Sequence, residues 1–141
     1  LSGIQKMAIT GTTTLYVTGS VSTANSAFIY IAAGASLTMY VNGSVSISGA
    51  GVVNGTQTAS QCTIYGLPGC TTITCGNSGA YIGTIYAPEA AVTVSGAGGV
   101  SGGVSANTVT VSNSGAVHYD EHLANAGGGS GAYVVMSWNE F

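Results

Sequence analysis

The sequence predicts an all-β fold, an irregular parallel β-helix (β-solenoid) with little helix, and three observations carry that expectation. Segments recur: TLYVTGSVS (Thr14–Ser22) returns as TMYVNGSVS (Thr38–Ser46), and AAVTVSG (Ala90–Gly96) returns as NTVTVSN (Asn107–Asn113). The offsets, about 24 and about 17 residues, are those at which repeat architectures form. Within each copy apolar and polar residues alternate, as in Val92, Thr93, Val94 and Val109, Thr110, Val111; a period of two marks a half-buried strand. Glycines, Gly96, Gly98, Gly99, Gly102 and Gly103 among them, fill the gap between copies, where a chain that turns tightly needs residues without a Cβ. A strand, a Gly-rich corner and an equivalent strand one rung on cannot enclose a core alone; each rung buries its apolar side on the next.

The chain reads as a single solenoid domain over residues 1–141. Residues 1–10 alternate loosely and give a first strand. The repeat of Thr14–Ser22 at Thr38–Ser46 brackets AFIYIAAGASL (Ala27–Leu37), a dense apolar strand, a corner at Gly34 and the start of the next strand. VSISGAGVVN (Val45–Asn54) continues with alternation and then Gly49 and Gly51. Residues 55–80 break the rhythm and read as an irregular, Cys-containing lateral loop with two short strands, TIYG and TTITC. The organising stretch is Gly79–His122, in which Val92, Val94, Val109 and Val111 are expected to stack inward in adjacent rungs, with Ile85 and Val104 extending the apolar column. Ala116–Ala126 reads as one helical turn capped by Asp120. Residues 127–131, GGGSG, form a tether before a β-prone C-terminal strand that includes Tyr133, Val134, Val135, Met136 and Trp138.

Composition excludes several classes. Only 4% of residues are charged against 45% hydrophobic, the reverse of the disordered signature. Lys6 is the sole Lys or Arg, so nothing can neutralise a phosphate backbone and nucleic acid is not an expected partner. No apolar run of about 18 residues is present, so no membrane span is expected. No charged and apolar leader opens the chain; export would imply that a signal was removed or belongs to a longer precursor.

Candidate sites follow from the few reactive residues. Cys62, Cys70 and Cys75 cluster around the Pro68–Gly69 turn; in an exported domain a disulfide between two of them is expected, with free buried thiols as the alternative. HYDEH places His118, Asp120 and His122 within reach of one divalent metal if the segment is helical, although the zincin order is absent; capping by Asp120 and packing by Tyr119 are the plainer readings. The acids are Glu89, Asp120, Glu121 and Glu140. No pair of them is adjacent in a way that defines a glycosidase-type acid and base, so neither a catalytic set nor a cofactor is expected. Asn42-Gly-Ser and Asn54-Gly-Thr match the N-glycan acceptor pattern against a background rich in these residues. Thr93 over Thr110 suggests a short threonine ladder. Tyr16, Tyr40, Tyr65 and Tyr86 each lie in a strand-like run and are expected to stack along one face; aromatics are sparser than a sugar-binding platform would suggest, so the stack is the plainest account and a surface that binds glycans is the alternative.

The run IYAPEAAVTVSG, the Gly corner and GGVSANTVTVSNSGAVHYDEHL together resemble the C-terminal domain of bacterial PilX-like, pilus-associated surface proteins. In that family a rung containing YAP is followed by a second rung and a HYDE-type sequence. YVVMSWNEF (Tyr133–Phe141) is similar to the aromatic strand that closes such domains. The resemblance implies an extracellular, cell-surface β-solenoid associated with pili or filaments, in a family whose members carry an N-terminal membrane or pilin-like segment, and it implies no catalytic residues. The expected function is a structural subunit of an extracellular filament, a homopolymer joined through solenoid ends and by exchange of a terminal strand. The alternatives are a monomeric surface adhesin or carbohydrate-binding module and, less well supported, a polysaccharide-cleaving β-helix enzyme.

Overall fold

A computed structural model describes residues 1–125. Of the described residues 58% are strand, and they form a parallel β-solenoid of about five turns. The first rung comprises β1 (Lys6–Ile9), β2 (Thr12–Val17) and β3 (Val21–Thr23). The second comprises β4 (Phe28–Ile31), β5 (Ser36–Val41) and β6 (Val45–Gly49), and the third β7 (Gly51–Asn54), β8 (Cys62–Gly66) and β9 (Thr72–Asn77). Two long strands, β10 (Tyr81–Val94) and β11 (Val100–Val111), make the next two rungs, followed by the short β12 (Val117–Tyr119).

Every pairing is parallel, and the sequence repeats set the register. Thr14 pairs with Thr38, Tyr16 with Tyr40 and Ser22 with Ser46. The sheet β1-β4-β7 forms one wall. The other two walls are joined because β10 runs through a corner: its first half continues β2-β5-β8 and its second half continues β3-β6-β9. The corner lies at Pro88–Ala90, where the register shifts between Ala87 and Ala91; Pro, with no N–H to donate, suits a position outside the ladder. From β10 onward a rung needs only two walls. Rungs three walls long therefore give way to shorter ones, in which Val92 pairs with Val109, 17 positions on. Tyr81, fully buried, fills the interior at this change. A Cβ on Gly83 would meet its ring at 2.9 Å, so Gly83 is what admits the tyrosine.

The core consists of inward columns, one residue per rung. Val21, Val45, Ile73, Val92 and Val109 form one; Leu15, Met39, Ile64, Ile85 and Val104 form another. Middle members are buried, while Met7, Leu15, Val17 and Val21 at the start are only partly so. The expected stack of Val92 and Val94 on Val109 and Val111 exists in register. It differs in burial: Val92 and Val94 are 1% and 0% exposed, but Val109 and Val111 are 45% and 49% exposed, because they belong to the final long rung.

Two expectations are corrected. The two short strands expected in residues 55–80, TIYG and TTITC, form as β8 and β9, but they do not belong to a lateral loop: they carry most of the third rung, with β8 between β5 and β10 and β9 between β6 and β10. The ladder is interrupted by Gly55–Gln61, ending in a 3₁₀ turn at Ala59–Gln61, and by the turn Leu67–Cys70, and it turns the corner into β10 at Ser78–Ala80. Gly102 and Gly103 are likewise not corner residues but lie inside β11. A Cβ on Gly102 would come within 2.0 Å of the Gly83 carbonyl oxygen, so two backbones meet there where a side chain has no room.

Candidate functional site

The outward side of β2, β5, β8 and β10 presents one constellation repeated rung by rung. Each strand contains Thr, an apolar residue and Tyr: Thr14-Leu15-Tyr16, Thr38-Met39-Tyr40, Thr63-Ile64-Tyr65 and Thr84-Ile85-Tyr86. The middle residue points into the core, so the flanking Thr and Tyr point outward together. Parallel pairing without a register slip aligns them into a threonine column and a tyrosine column.

The tyrosine rings stack as the sequence suggests. Tyr16 and Tyr40 have centroids 4.7 Å apart at 8°, and Tyr40 and Tyr65 5.0 Å apart at 12°. Tyr86 breaks the pattern at 6.1 Å and 63°, an edge contact. Each such pair contributes about 0.5–1.5 kcal/mol beyond area burial. In the threonine column the Thr84 hydroxyl donates to Thr63 Oγ1 at 2.9 Å. None of Lys6, Glu89, Asp120 and Glu121 lies on these columns. The ladder ends at its fourth rung because β11 carries Gly103 beside Thr84 and Ser105 beside Tyr86. Gly103 leaves room for Leu123, whose Cδ1 would lie 3.3 Å from a Cβ there; Ser105 leaves Tyr86 without a fifth ring.

Leu123 belongs to a second 3₁₀ turn, Glu121–Asn125. Asp120 caps it: Oδ1 accepts from the His122 backbone N–H at 3.0 Å, and its carbonyl accepts from Leu123 N–H at 3.0 Å. His122 Nδ1 lies 3.0 Å from the same carboxylate, and these contacts, led by the His122 side chain, hold the Asp120 carboxyl below its ordinary value. The metal site proposed for His118, Asp120 and His122 is not assembled. His118 lies on β12, His122 is 95% exposed in the following turn, and among the described residues no three His, Cys, Asp or Glu side chains converge. A strand followed by a 3₁₀ turn does not bring the two histidines to one face as an α-helix would.

The expected disulfide is also not formed. Cys62, Cys70 and Cys75 are free and buried, because Cys62 and Cys75 sit on strands of different walls and occupy inward positions there. Cys62 Sγ lies 3.5 Å from the Tyr81 hydroxyl. Burial pushes the Cys62 thiol up to about 11, against a smaller lowering by the Tyr81 hydrogen bond, and the Cys75 thiol up to about 12. The nucleophile is the thiolate, so iodoacetamide at pH 8 is expected to leave Cys62 and Cys75 unmodified in the folded protein. In denaturant without reductant all three cysteines should react, as counted by mass spectrometry. Labelling of a single cysteine in denaturant would instead reveal a bridge.

Of the two glycan acceptor candidates, Asn54 is excluded by its surroundings. It is 2% exposed, and Nδ2 donates to the Thr58 and Ile82 carbonyls at 3.0 and 2.9 Å. Its Oδ1 accepts from the Thr56 backbone N–H and hydroxyl, so the sequon is an internal turn lock. Asn42 lies exposed in the turn after β5, with Oδ1 accepting from Gly69 N–H at 3.0 Å. Glu89 is exposed at the β10 corner. Tyr133, Val134, Val135, Met136 and Trp138, and the tether before them, lie outside the described residues.

The four-rung threonine column goes beyond the short ladder, Thr93 over Thr110, that the sequence suggests. Its signal was present as the tripeptide Thr-x-Tyr with an apolar middle residue, four times over, but spaced unevenly.

The fold and this face define a class: a parallel β-solenoid with an uncharged, ladder-forming side. The chain belongs to the family described as a domain of unknown function, DUF7305, whose model matches residues 8–126. It matches no curated protein and no solved structure.

Proposed function

We propose that the domain is a structural subunit of an extracellular, pilus-like filament, joined end to end through its solenoid ends. The observation that supports this is the state of those ends. At the start, among the described residues, β1, β2 and β3 each pair on one side only, and Met7, Leu15, Val17 and Val21 line an apolar hollow with Ile29 and Met39. At the other end Val109, Val111 and Val117 are exposed. Unpaired edges of this kind are normally blocked by charge or covered, and Lys6, set 5.3 Å from the Phe28 ring centre, is the sole Lys or Arg in the chain. A second copy stacked head to tail would continue the parallel ladder and the inward columns, and a heterologous contact of this kind propagates into a filament. The resemblance of the HYDE-type segment to pilus-associated proteins supports the extracellular setting. The β-prone segment Tyr133–Trp138 is proposed to reinforce the junction by adding a strand to a neighbour's edge.

Sedimentation and electron microscopy test the reading. The protein is expected to associate with rising concentration into uniform filaments. Val111→Asp should weaken association by about tenfold or more, the effect of about 1.4 kcal/mol at the junction, while leaving the subunit folded. Monodisperse monomers at all concentrations, or filaments indifferent to Val111→Asp, would overturn it.

A second reading, a surface adhesin or carbohydrate-binding module, is favoured by the Thr–Tyr ladder. The two are compatible, since the ladder lies on the side of the solenoid and the junctions at its ends.

A further inference from the structure

We propose that the Thr–Tyr ladder is a binding face for a neutral, linear polysaccharide lying along the solenoid axis; this rests on the glycan-binding reading above and gives it a site, a ligand class and an orientation. The argument begins with charge. Over four rungs the outward positions are Thr12, Thr14, Tyr16, Ser36, Thr38, Tyr40, Thr63, Tyr65, Ile82, Thr84 and Tyr86, none of them charged. An anionic polymer would find no cation here and a cationic one no carboxylate, whereas a neutral polyhydroxylated chain meets hydroxyls and aromatic carbon. These are the groups with which binding sites orient a ligand and cover its apolar surface.

Periodicity gives the orientation. Threonine hydroxyls and tyrosine rings repeat at the rung spacing, with ring centres 4.7 and 5.0 Å apart. A polymer running along the axis meets the same groups at each step, while one running across the strands meets them once. Many weak, equivalent contacts along one chain add as linked sites do.

Ring geometry decides which tyrosine stacks on a sugar. Tyr40 has parallel neighbours on both sides, Tyr16 and Tyr65, so both of its faces are covered. Tyr65 has one face on Tyr40 and meets Tyr86 at 63° on the other side. Tyr86 therefore does not lie flat on that ring as the other members of the column do, and it is 51% exposed. Its next neighbour in register is Ser105, too small to cover it. Tyr16 also has one uncovered face and is 74% exposed, but it lies on the first rung, the end proposed to join a neighbouring copy; Tyr86 is therefore the stacking residue within the subunit, and Thr38, Thr63 and Thr84 supply the hydroxyl row beside it.

Affinity electrophoresis of the full chain tests this with three neutral probes, hydroxyethyl cellulose, galactomannan and dextran, and one anionic probe, dextran sulfate. At least one neutral polymer should retard the protein and dextran sulfate should not. Tyr86→Ala and the double variant Thr38→Val/Thr63→Val should each lose about tenfold in affinity. Tyr86→Phe should stay within a few-fold of the parent, and all variants should keep a cooperative thermal transition. Retardation that persists unchanged in Tyr86→Ala and in the double variant would overturn this face while leaving glycan binding in place. No retardation by any of the four polymers would overturn both readings, and retardation by dextran sulfate alone would overturn the neutral ligand.

Discussion

Val94→Asp is expected to abolish or severely weaken the fold. Val94 is fully buried in the column Ile47, Cys75, Val94, Val111, so the introduced carboxylate would lie among apolar side chains and thiols. A buried charge without a partner costs on the order of 3–5 kcal/mol. The chain can offer none nearby, since its sole Lys or Arg, Lys6, lies on β1 at the first rung. A domain of this kind has a total stability of about 5–15 kcal/mol, and the melting midpoint should fall by on the order of 10 °C or more. The same substitution one rung on, Val111→Asp, falls at a position 49% exposed and should change subunit stability by about 0.5 kcal/mol or less. Thermal melts followed by circular dichroism compare the two. Equal melting of Val94→Asp and the parent would show that the inward register described here is wrong.

That contrast also shows what the sequence made legible. The Val-Thr-Val alternation at Val92–Val94 and Val109–Val111 determines which residues pair and which side faces the core, because period and register are local properties. Burial is not local: it depends on whether another rung covers the residue. The tyrosine column was equally legible from Tyr16, Tyr40, Tyr65 and Tyr86, since equivalent side chains in a parallel ladder must meet.

The misread positions share a cause. The strands of the third rung are legible but their place in the ladder is not, because Gly55–Gln61 and Leu67–Cys70 interrupt it, so that Leu37 pairs with Cys62 but Val45 pairs with Ile73, and no single period survives. The cysteines suggested a staple through their closeness in sequence, yet β8 and β9 carry two of them to different walls. Asn54 looked like a surface sequon because Asn-Gly-Thr is turn chemistry. It faces inward in register with Ile31, and its amide satisfies the loop that follows. In each case the deciding information was the partner across the rung, which the segment itself does not contain.

Gly49→Ala is the second large effect expected, and it tests how rungs meet at a corner. Gly49 ends β6 with φ at +65°, and a Cβ there would lie 1.9 Å from the Asn25 carbonyl oxygen of the preceding rung. That oxygen accepts from the Ala50 N–H at 3.2 Å, while the Gly49 carbonyl accepts from Ser78 N–H at 3.1 Å. The corner is thus a backbone relay from the first rung to the third, and a methyl group at Gly49 must displace it. The left-handed φ alone costs an alanine about 1 kcal/mol. Displacing the carbonyl and losing its hydrogen bond adds about 1–2 kcal/mol, giving a total on the order of 3 kcal/mol. Gly34 is the control: its φ is +77°, but nothing lies within 4 Å of a Cβ there, so Gly34→Ala should show only the conformational cost. Urea denaturation of the two variants measures the difference directly. A Gly49→Ala midpoint lower than that of Gly34→Ala is the expected result; coincident midpoints would mean that the corner yields to a methyl group at no cost, and that the backbone relay does not hold the rungs together.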